Sequence, residues 1–293
     1  MRIGIDQVDG KWPNLALAKL AAWHRAQGDT VEWFNALESV SYDRVFASKV
    51  FIDTPDDPYL PDNAQRGGIG YSTTAELPPE VESTKPDWSL WPKWEHDVGF
   101  STRGCVRKCP FCVVPRKEGG FRVVAEFGDL WTGCRKLILH DNNLTAAPLD
   151  HFRNLVSDAK RNRTILDLHQ GFDARIFTED HADIIAKGPF DTQIHMAFDH
   201  VRDEPFVRQA VELCKSAGIN TRSRLMFFVL IGFDSTPEED LYRVELLRSL
   251  DANPFVMKYR RNDPYQKDFA RWANRPQLFR SCSFGEYRKR SVA

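Results

Sequence analysis

The sequence predicts an α/β protein built on parallel strands. Two observations carry that expectation. From residue 97 onward, short apolar runs alternate with helical patterns, the mark of successive strand–helix units. Chemistry-bearing residues also recur just after those runs, and in parallel α/β folds the carboxyl ends of the strands form the working rim.

The elements follow in order. "RIGID" reads as a strand, "NLALAKLAAWHRAQGD" as a helix stopping near Gly28, and "TVEWF" and "DRVFASKVFI" as two further strands. Residues 1–52 thus form a small N-terminal α/β unit. Residues 53–96 are rich in Pro, Gly and Asp without periodicity, and read as a long connection. The six strands that follow are "HDVGFST", "RKLILHD", "TILDLHQG", "TQIHMAFD", "TRSRLMFFVLIG" and "PFVMKYR". Helical patterns separate them from the second strand onward: "APLDHFRNLVSDAKR", "TEDHADIIAKG", "EPFVRQAVELCKSAG" and "TPEEDLYRVELLRSLD". The rim then collects the cysteines after the first strand, "HDNN" after the second and "HQG" after the third. "FDH" follows the fourth strand and "IGFD" the fifth. The repeat contains no Gly-x-Gly-x-x-Gly loop and no Walker A sequence.

Composition narrows the classes. With 293 residues, 42% hydrophobic and 28% charged, the chain can bury a sizeable core. A formal net charge of −1 gives no global pull toward nucleic acid or membrane. No apolar run approaches the roughly 18 residues of a membrane span, and the start lacks a signal-peptide pattern. The expected location is the cytoplasm, where thiols stay reduced, so six cysteines point to metal or chemistry before disulfides. Eight tryptophans, several near the cysteines, either shield a site or are ordinary core and surface aromatics.

Residues 105–112 read "CVRKCPFC". Thiolates are soft ligands for zinc or iron–sulfur iron. A structural zinc normally takes four protein ligands, for which His96, His140 and Cys134 are the available fourth. Three thiolates on a four-iron cluster would leave one iron open to a substrate or cofactor. Cluster, zinc and unligated thiols all remain open on spacing.

The Cys-x3-Cys-x2-Cys spacing of Cys105, Cys109 and Cys112, with Phe111 before the last, resembles the radical S-adenosylmethionine superfamily. "GFSTRGCVRKCPFCVVPRKEG" is similar to the cluster loop of tRNA methylthiotransferases and cobalamin-type radical enzymes. The resemblance implies a six-stranded partial (β/α)6 TIM-like barrel over residues 97–262, with the N-terminal unit a truncated cobalamin-binding-like remnant. It implies a [4Fe-4S] cluster on the three cysteines, S-adenosylmethionine on the fourth iron, and a one-electron reductant such as flavodoxin or ferredoxin. Reductive cleavage would yield a 5′-deoxyadenosyl radical that takes hydrogen from the substrate, as an isomerase, lyase or oxidoreductase. Residues 53–96 would then cover the site. The chain departs from these relatives: no cysteine precedes Cys105 for a second cluster, and the Asp-x-His-x-x-Gly cobalamin motif is absent.

Further roles follow from the resemblance and from residue chemistry. Phe111, Asp141, Asn142, Asn143, Gln170, Asp199, Arg224 and Gly232 are candidates to bind the cofactor; the bland alternative for Asp141 and its neighbours is a helix cap. Asp173, Arg175, Lys258 and Arg260 are candidates to meet the substrate. Cys282 is a candidate hydrogen-atom donor to a product radical. From Lys258 to Arg290, ten Lys and Arg face three Asp and Glu, interleaved with Tyr259, Tyr265, Phe269, Trp272, Phe279, Phe284 and Tyr287. That pattern suits phosphates and stacked bases, or else an amphipathic tail on the core. The expected substrate is anionic: a nucleotide, DNA or RNA base being modified, with a peptide or small metabolite as the alternative. A non-catalytic, zinc-stabilised nucleic-acid-binding protein is the reading from another class.

Overall fold

The computed structural model describes residues 1–191 and 193–292, with side chains described through Arg288 apart from Thr192. The chain forms two compact units. The first comprises Met1–Val98 with Val113–Lys117; the second comprises Gly99–Cys112 and the chain from Glu118 onward.

The first unit contains β1 (Arg2–Gln7), α1 (Leu15–Ala26), β2 (Thr30–Trp33), β3 (Arg44–Ser48), β4 (Gln65–Gly67) and the short α2 (Pro79–Glu82). Its strands form a parallel sheet in the order β2-β1-β3-β4. Strand alternation puts Ile3 and Ile5 of β1 on one face. Leu17, Leu20 and Ala21 recur at helical spacing on α1 and pack in the same core. Asn14 caps α1, its side-chain oxygen accepting from Leu17 N at 3.1 Å. The stretch expected as a connection carries β4 and α2, and gives Leu60, Ala64 and Val81 to the unit's two cores.

The chain then forms β5 (Asp97–Gly99), β6 (Thr102–Arg103), the first unit's α3 (Val114–Lys117), β7 (Arg122–Val123) and α4 (Phe127–Leu130). After these come β8 (Lys136–Leu139), α5 (Leu149–Arg161), β9 (Ile165–Leu168), α6 (Glu179–Lys187) and β10 (Ile194–Ala197). The chain continues with α7 (Glu204–Ser216), α8 (Thr221–Arg224), β11 (Leu225–Ile231), α9 (Pro237–Ser249) and β12 (Asn253–Lys258). Three helices close it: α10 (Pro264–Ala273), α11 (Pro276–Ser281) and α12 (Phe284–Val292). Local chemistry sets several boundaries. Thr236 and Glu239 form a capping box at the start of α9, with Pro237 in its first turn. β11 alternates buried and half-buried residues along its whole length, as a strand with one closely covered face does.

The expected continuous six-stranded barrel is not what forms. Among the described residues the strands make four separate sheets: the parallel four-stranded one, β5-β8-β9, β10-β11-β12, and the hairpin β6-β7. The segments around β9 and β10 are joined by isolated bridges, Leu166 to Phe190 and Phe172 to Met196, and by His195 Nδ1 at 3.0 Å from the Leu168 carbonyl, without a continuous ladder. The reason lies at Gly171, between β9 and the second of these bridges. Its φ is +88°, and a Cβ there would stand 2.6 Å from the His195 carbonyl oxygen. The backbones touch at that point instead of running on as a ladder.

One large core fills the second unit, built from β8 to β12 and helices α4 to α7 and α9 to α12. No described helix is long and apolar enough to cross a membrane.

Candidate functional site

The rim of the second unit brings together loop 99–112 and the segments following β8 to β12. The loop is held from below by Asp141. This carboxylate accepts from Ser101 N at 2.7 Å, from the Ser101 hydroxyl, and from Thr102 Oγ1 at 3.1 Å. Burial pushes the Asp141 carboxyl up, while the Ser101 and Thr102 bonds pull it back. Asn142 accepts from Gly104 N at 2.9 Å, and Asn143 Nδ2 lies 3.5 Å from Cys105 Sγ. The "DNN" expected at a cofactor therefore spends most of its hydrogen bonds on the loop itself. Asn143 Oδ1 is the exception, buried with no hydrogen-bond partner.

The three cysteines are half-buried. Burial pushes the Cys109 thiol up; Arg175 opposes this, and Cys112, Asp199 and Cys105 add to it. Among the described residues, no group of three or more His, Cys, Asp or Glu side chains is placed to hold a metal ion. The candidates for a fourth ligand make other contacts. His96 stacks edge-on against Trp94 in the first unit, His140 lies 5.8 Å from His169, and Thr132 Oγ1 lies 3.9 Å from Cys134 Sγ. The donor set does not fit the expected group, which corrects the sequence reading. The [4Fe-4S] cluster, the S-adenosylmethionine it would chelate, and the radical-enzyme identity built on them are overturned. The same finding covers zinc.

Asp173 is the charge centre of the rim. It accepts from Arg107 Nε at 2.9 Å and from Arg175 Nε at 2.7 Å, and Arg175 also faces Asp203 at 3.9 Å. Burial would raise the Asp173 carboxyl, but the two guanidinium groups hold it below the usual range. Asp199 accepts from Leu230 N at 3.1 Å, and burial pushes its carboxyl up. Gln170 is exposed. Gly232 has a φ of +78°, and a Cβ there would meet the buried Gln266 side chain at 2.0 Å, so its glycine serves packing.

Aromatic rings cross the rim. Phe111 meets Phe233 at 5.6 Å, and Phe233 meets Tyr259 edge-on at 5.0 Å. Tyr259 follows Lys258 of β12, donates its N–H to the Ile231 carbonyl at 3.1 Å, and is 51% exposed. Arg260, also exposed, is fixed through its backbone N–H to Gln266 Oε1 at 2.9 Å.

Two expected site residues lie elsewhere. Arg224 stands at the amino end of β11, where its guanidinium reaches the Asp191 carbonyl at 3.4 Å. Cys282 is buried among the C-terminal helices, its thiol 3.5 Å from the Leu278 carbonyl and its own carbonyl accepting from Trp272 Nε1 at 3.1 Å. The basic-aromatic tail is also largely internal. Phe269, Trp272, Phe279 and Tyr287 are buried, Tyr265 and Phe284 pack against them, and Tyr259 is the exposed ring of the seven. Lys289 and Arg290 fall outside the described side chains.

Sequence reasoning missed Arg243, which is fully buried on α9. It donates to the carbonyls of Phe198, Asp199 and Leu230, and to Asp240 at 2.6 Å. Its signal was present: Asp240, Arg243, Val244 and Leu247 share the buried helical face.

A second charge cluster gives a pH prediction. Burial and the neighbouring His169 push His140 down to about 4, against an opposing pull from Asp167. Burial raises Asp167, but His169 and Lys136 prevail and hold it at about 2. His140 is neutral in the fold, so acidification costs stability from its unfolded value near ~6.5 down through about 4. The Asp167 contribution, present above its unfolded value, goes only as pH falls through about 2. Going from about pH 7 to about pH 4.5 should therefore remove on the order of 2 kcal/mol through His140. His140→Gln should flatten that part of the profile in thermal melts at the two pH values; an unchanged profile would refute it.

The chain matches no protein-family model and no curated protein.

Proposed function

We propose that the second unit's rim binds an anionic, base-bearing ligand, a nucleotide or single-stranded nucleic acid. One observation carries this reading: Tyr259 offers an exposed ring braced edge-on by Phe233, in the run Lys258-Tyr259-Arg260-Arg261 at the end of β12. A ring held by other rings keeps its face at little entropic cost, and bases stack on such faces regardless of sequence. Cations on either side supply phosphate contacts. Arg107 and Arg175 share Asp173, so their charge is partly neutralised and they contribute less. The reading is one of binding, and no catalytic step is assigned to the rim.

The test is fluorescence anisotropy with labelled oligo-dT and oligo-U. Three phosphate contacts give an expected salt slope near about −2 between about 50 and about 200 mM salt. Tyr259→Ala should weaken binding by about five- to a hundredfold. Arg260→Glu should weaken it and flatten the salt slope. Binding that ignores both substitutions, or no binding at the lower salt, would sink the reading.

A further inference from the structure

The second unit carries another cleft at the amino ends of β11 and β12, away from the rim. Residues of α8 and α11 complete its walls, and its volume is about 370 Å³. Strand alternation builds the apolar side. Leu225, Phe227 and Val229 of β11, and Pro254 and Val256 of β12, are buried, so Met226 and Phe255 fall on the less covered face of the sheet. Both line the cleft. Phe255 is 40% exposed, and its ring is braced edge-on by Phe228 at 5.8 Å.

Two arginines supply the charged side. Arg280 of α11 is held through Nη2, which donates to the Arg222 carbonyl at 3.0 Å and to Asn253 Oδ1 at 2.7 Å. Asn253 is itself set by donating from Nδ2 to the same carbonyl at 2.8 Å. Both acceptors of Arg280 are neutral, so its charge is positioned without being cancelled. Neither Arg222 nor Arg280 forms a salt bridge among the described residues, and the described walls of the cleft include no acidic side chain. A smaller hollow of about 190 Å³ shares Arg222, Phe279 and Arg280. Its charges are nearer balance, because Arg248 pairs with Glu245 at 3.3 Å and Asp251 forms part of the wall.

We propose that the larger cleft binds a small aromatic carboxylate, with its anionic group on Arg222 and Arg280 and its ring against Phe255 and Met226. Uncancelled guanidinium groups beside walls without carboxylates select an anion. The exposed ring next to them selects a flat apolar body, which a free inorganic anion lacks. The two oxygens of a carboxylate match the two guanidinium groups. The volume suits a small molecule. The cleft lies at the opposite strand ends from Tyr259 and does not depend on the rim reading.

Isothermal titration calorimetry of the full chain tests it, with naphthoate as the probe. Naphthylmethanol and acetate are the controls, the first lacking the charge and the second the ring. Naphthoate should bind with a Kd at or below about 1 mM, and each control at least about tenfold more weakly. The Arg222 side chain is exposed and makes no hydrogen bond among the described residues, so Arg222→Gln leaves the fold intact. It should weaken naphthoate by about five- to thirtyfold, and Arg280→Gln by at least as much. Tyr259→Ala should leave the titration unchanged. The proposal is overturned by no saturable binding, by naphthylmethanol or acetate matching naphthoate, or by either arginine variant binding like the parent. Loss of binding in Tyr259→Ala would place the ligand at the rim and overturn it as well.

Discussion

Arg243→Met should lower the stability of the protein by about 3–5 kcal/mol, the cost of breaking a buried ion pair from one side. Arg243 and Asp240 are 0% and 1% exposed in their side chains. Removing the guanidinium strands the Asp240 carboxylate, which keeps only the Ser235 hydroxyl at 2.6 Å and the Tyr265 hydroxyl at 3.1 Å. It also strands the carbonyls of Phe198, Asp199 and Leu230. Those carbonyls belong to the end of β11 and the turn after β10, so the clamp sets the spacing of two adjacent strand ends at the rim. Urea unfolding measures the loss. The double variant Arg243→Met, Asp240→Leu removes both charges and should recover part of it, because no lone buried charge remains. A single-variant cost below about 1 kcal/mol, or a double variant worse than the sum of the singles, would refute the clamp.

Asp141→Ala should cost about 2–4 kcal/mol and loosen loop 99–112. Three donors on Ser101 and Thr102 lose their acceptor, and both residues are fully buried, so water does not replace it freely. The consequence reaches the cysteines, because the loop that bears them starts from this anchor. Maleimide labelling of Cys105 and Cys109 should quicken in Asp141→Ala, while Asp141→Asn, which keeps one acceptor oxygen, should fall between the two. Labelling at the parental rate in Asp141→Ala would show that the anchor does not govern the loop.

Much of the local structure was legible. The runs expected as strands overlap β1, β2, β3, β5, β8, β9, β10, β11 and β12, except that Thr221–Arg224, expected to open the fifth of the later strands, forms α8; the helical patterns contain α1, α5, α6, α7 and α9. Alternation and the 3.6-residue period are local properties, readable within a window of a few residues. β4 and α2 were missed because their segment lacks periodicity and is placed by pairing with β3 and by burying Val81. The rim was legible in part. Asp141, Asn142, Asp173, Arg175 and Lys258 do follow or end parallel strands, but Arg224 stands at the other end of β11 and Cys282 is packed away.

The cysteine pattern shows the limit most clearly. Its spacing is a statement about eight residues, and a metal site is a statement about where side chains from several elements meet. In the structure those thiols meet Asn143 and the Arg175 field, without the further donors that would complete a metal-holding group among the described residues. The aromatic tail is the same lesson in reverse. Its composition suited stacked bases, yet core packing claimed six of the seven rings and left Tyr259 outside.

By itself the sequence determined most of the strands and the helices between them, because backbone periodicity and capping act over one or two turns. Only the tertiary structure decided that the sheets stay separate and that Asp141 and Arg243 are anchors. Those outcomes rest on hydrogen bonds and close packing between residues far apart in the chain, such as Ser101 with Asp141 or Gly171 with His195. No local pattern encodes which distant group will satisfy a buried donor.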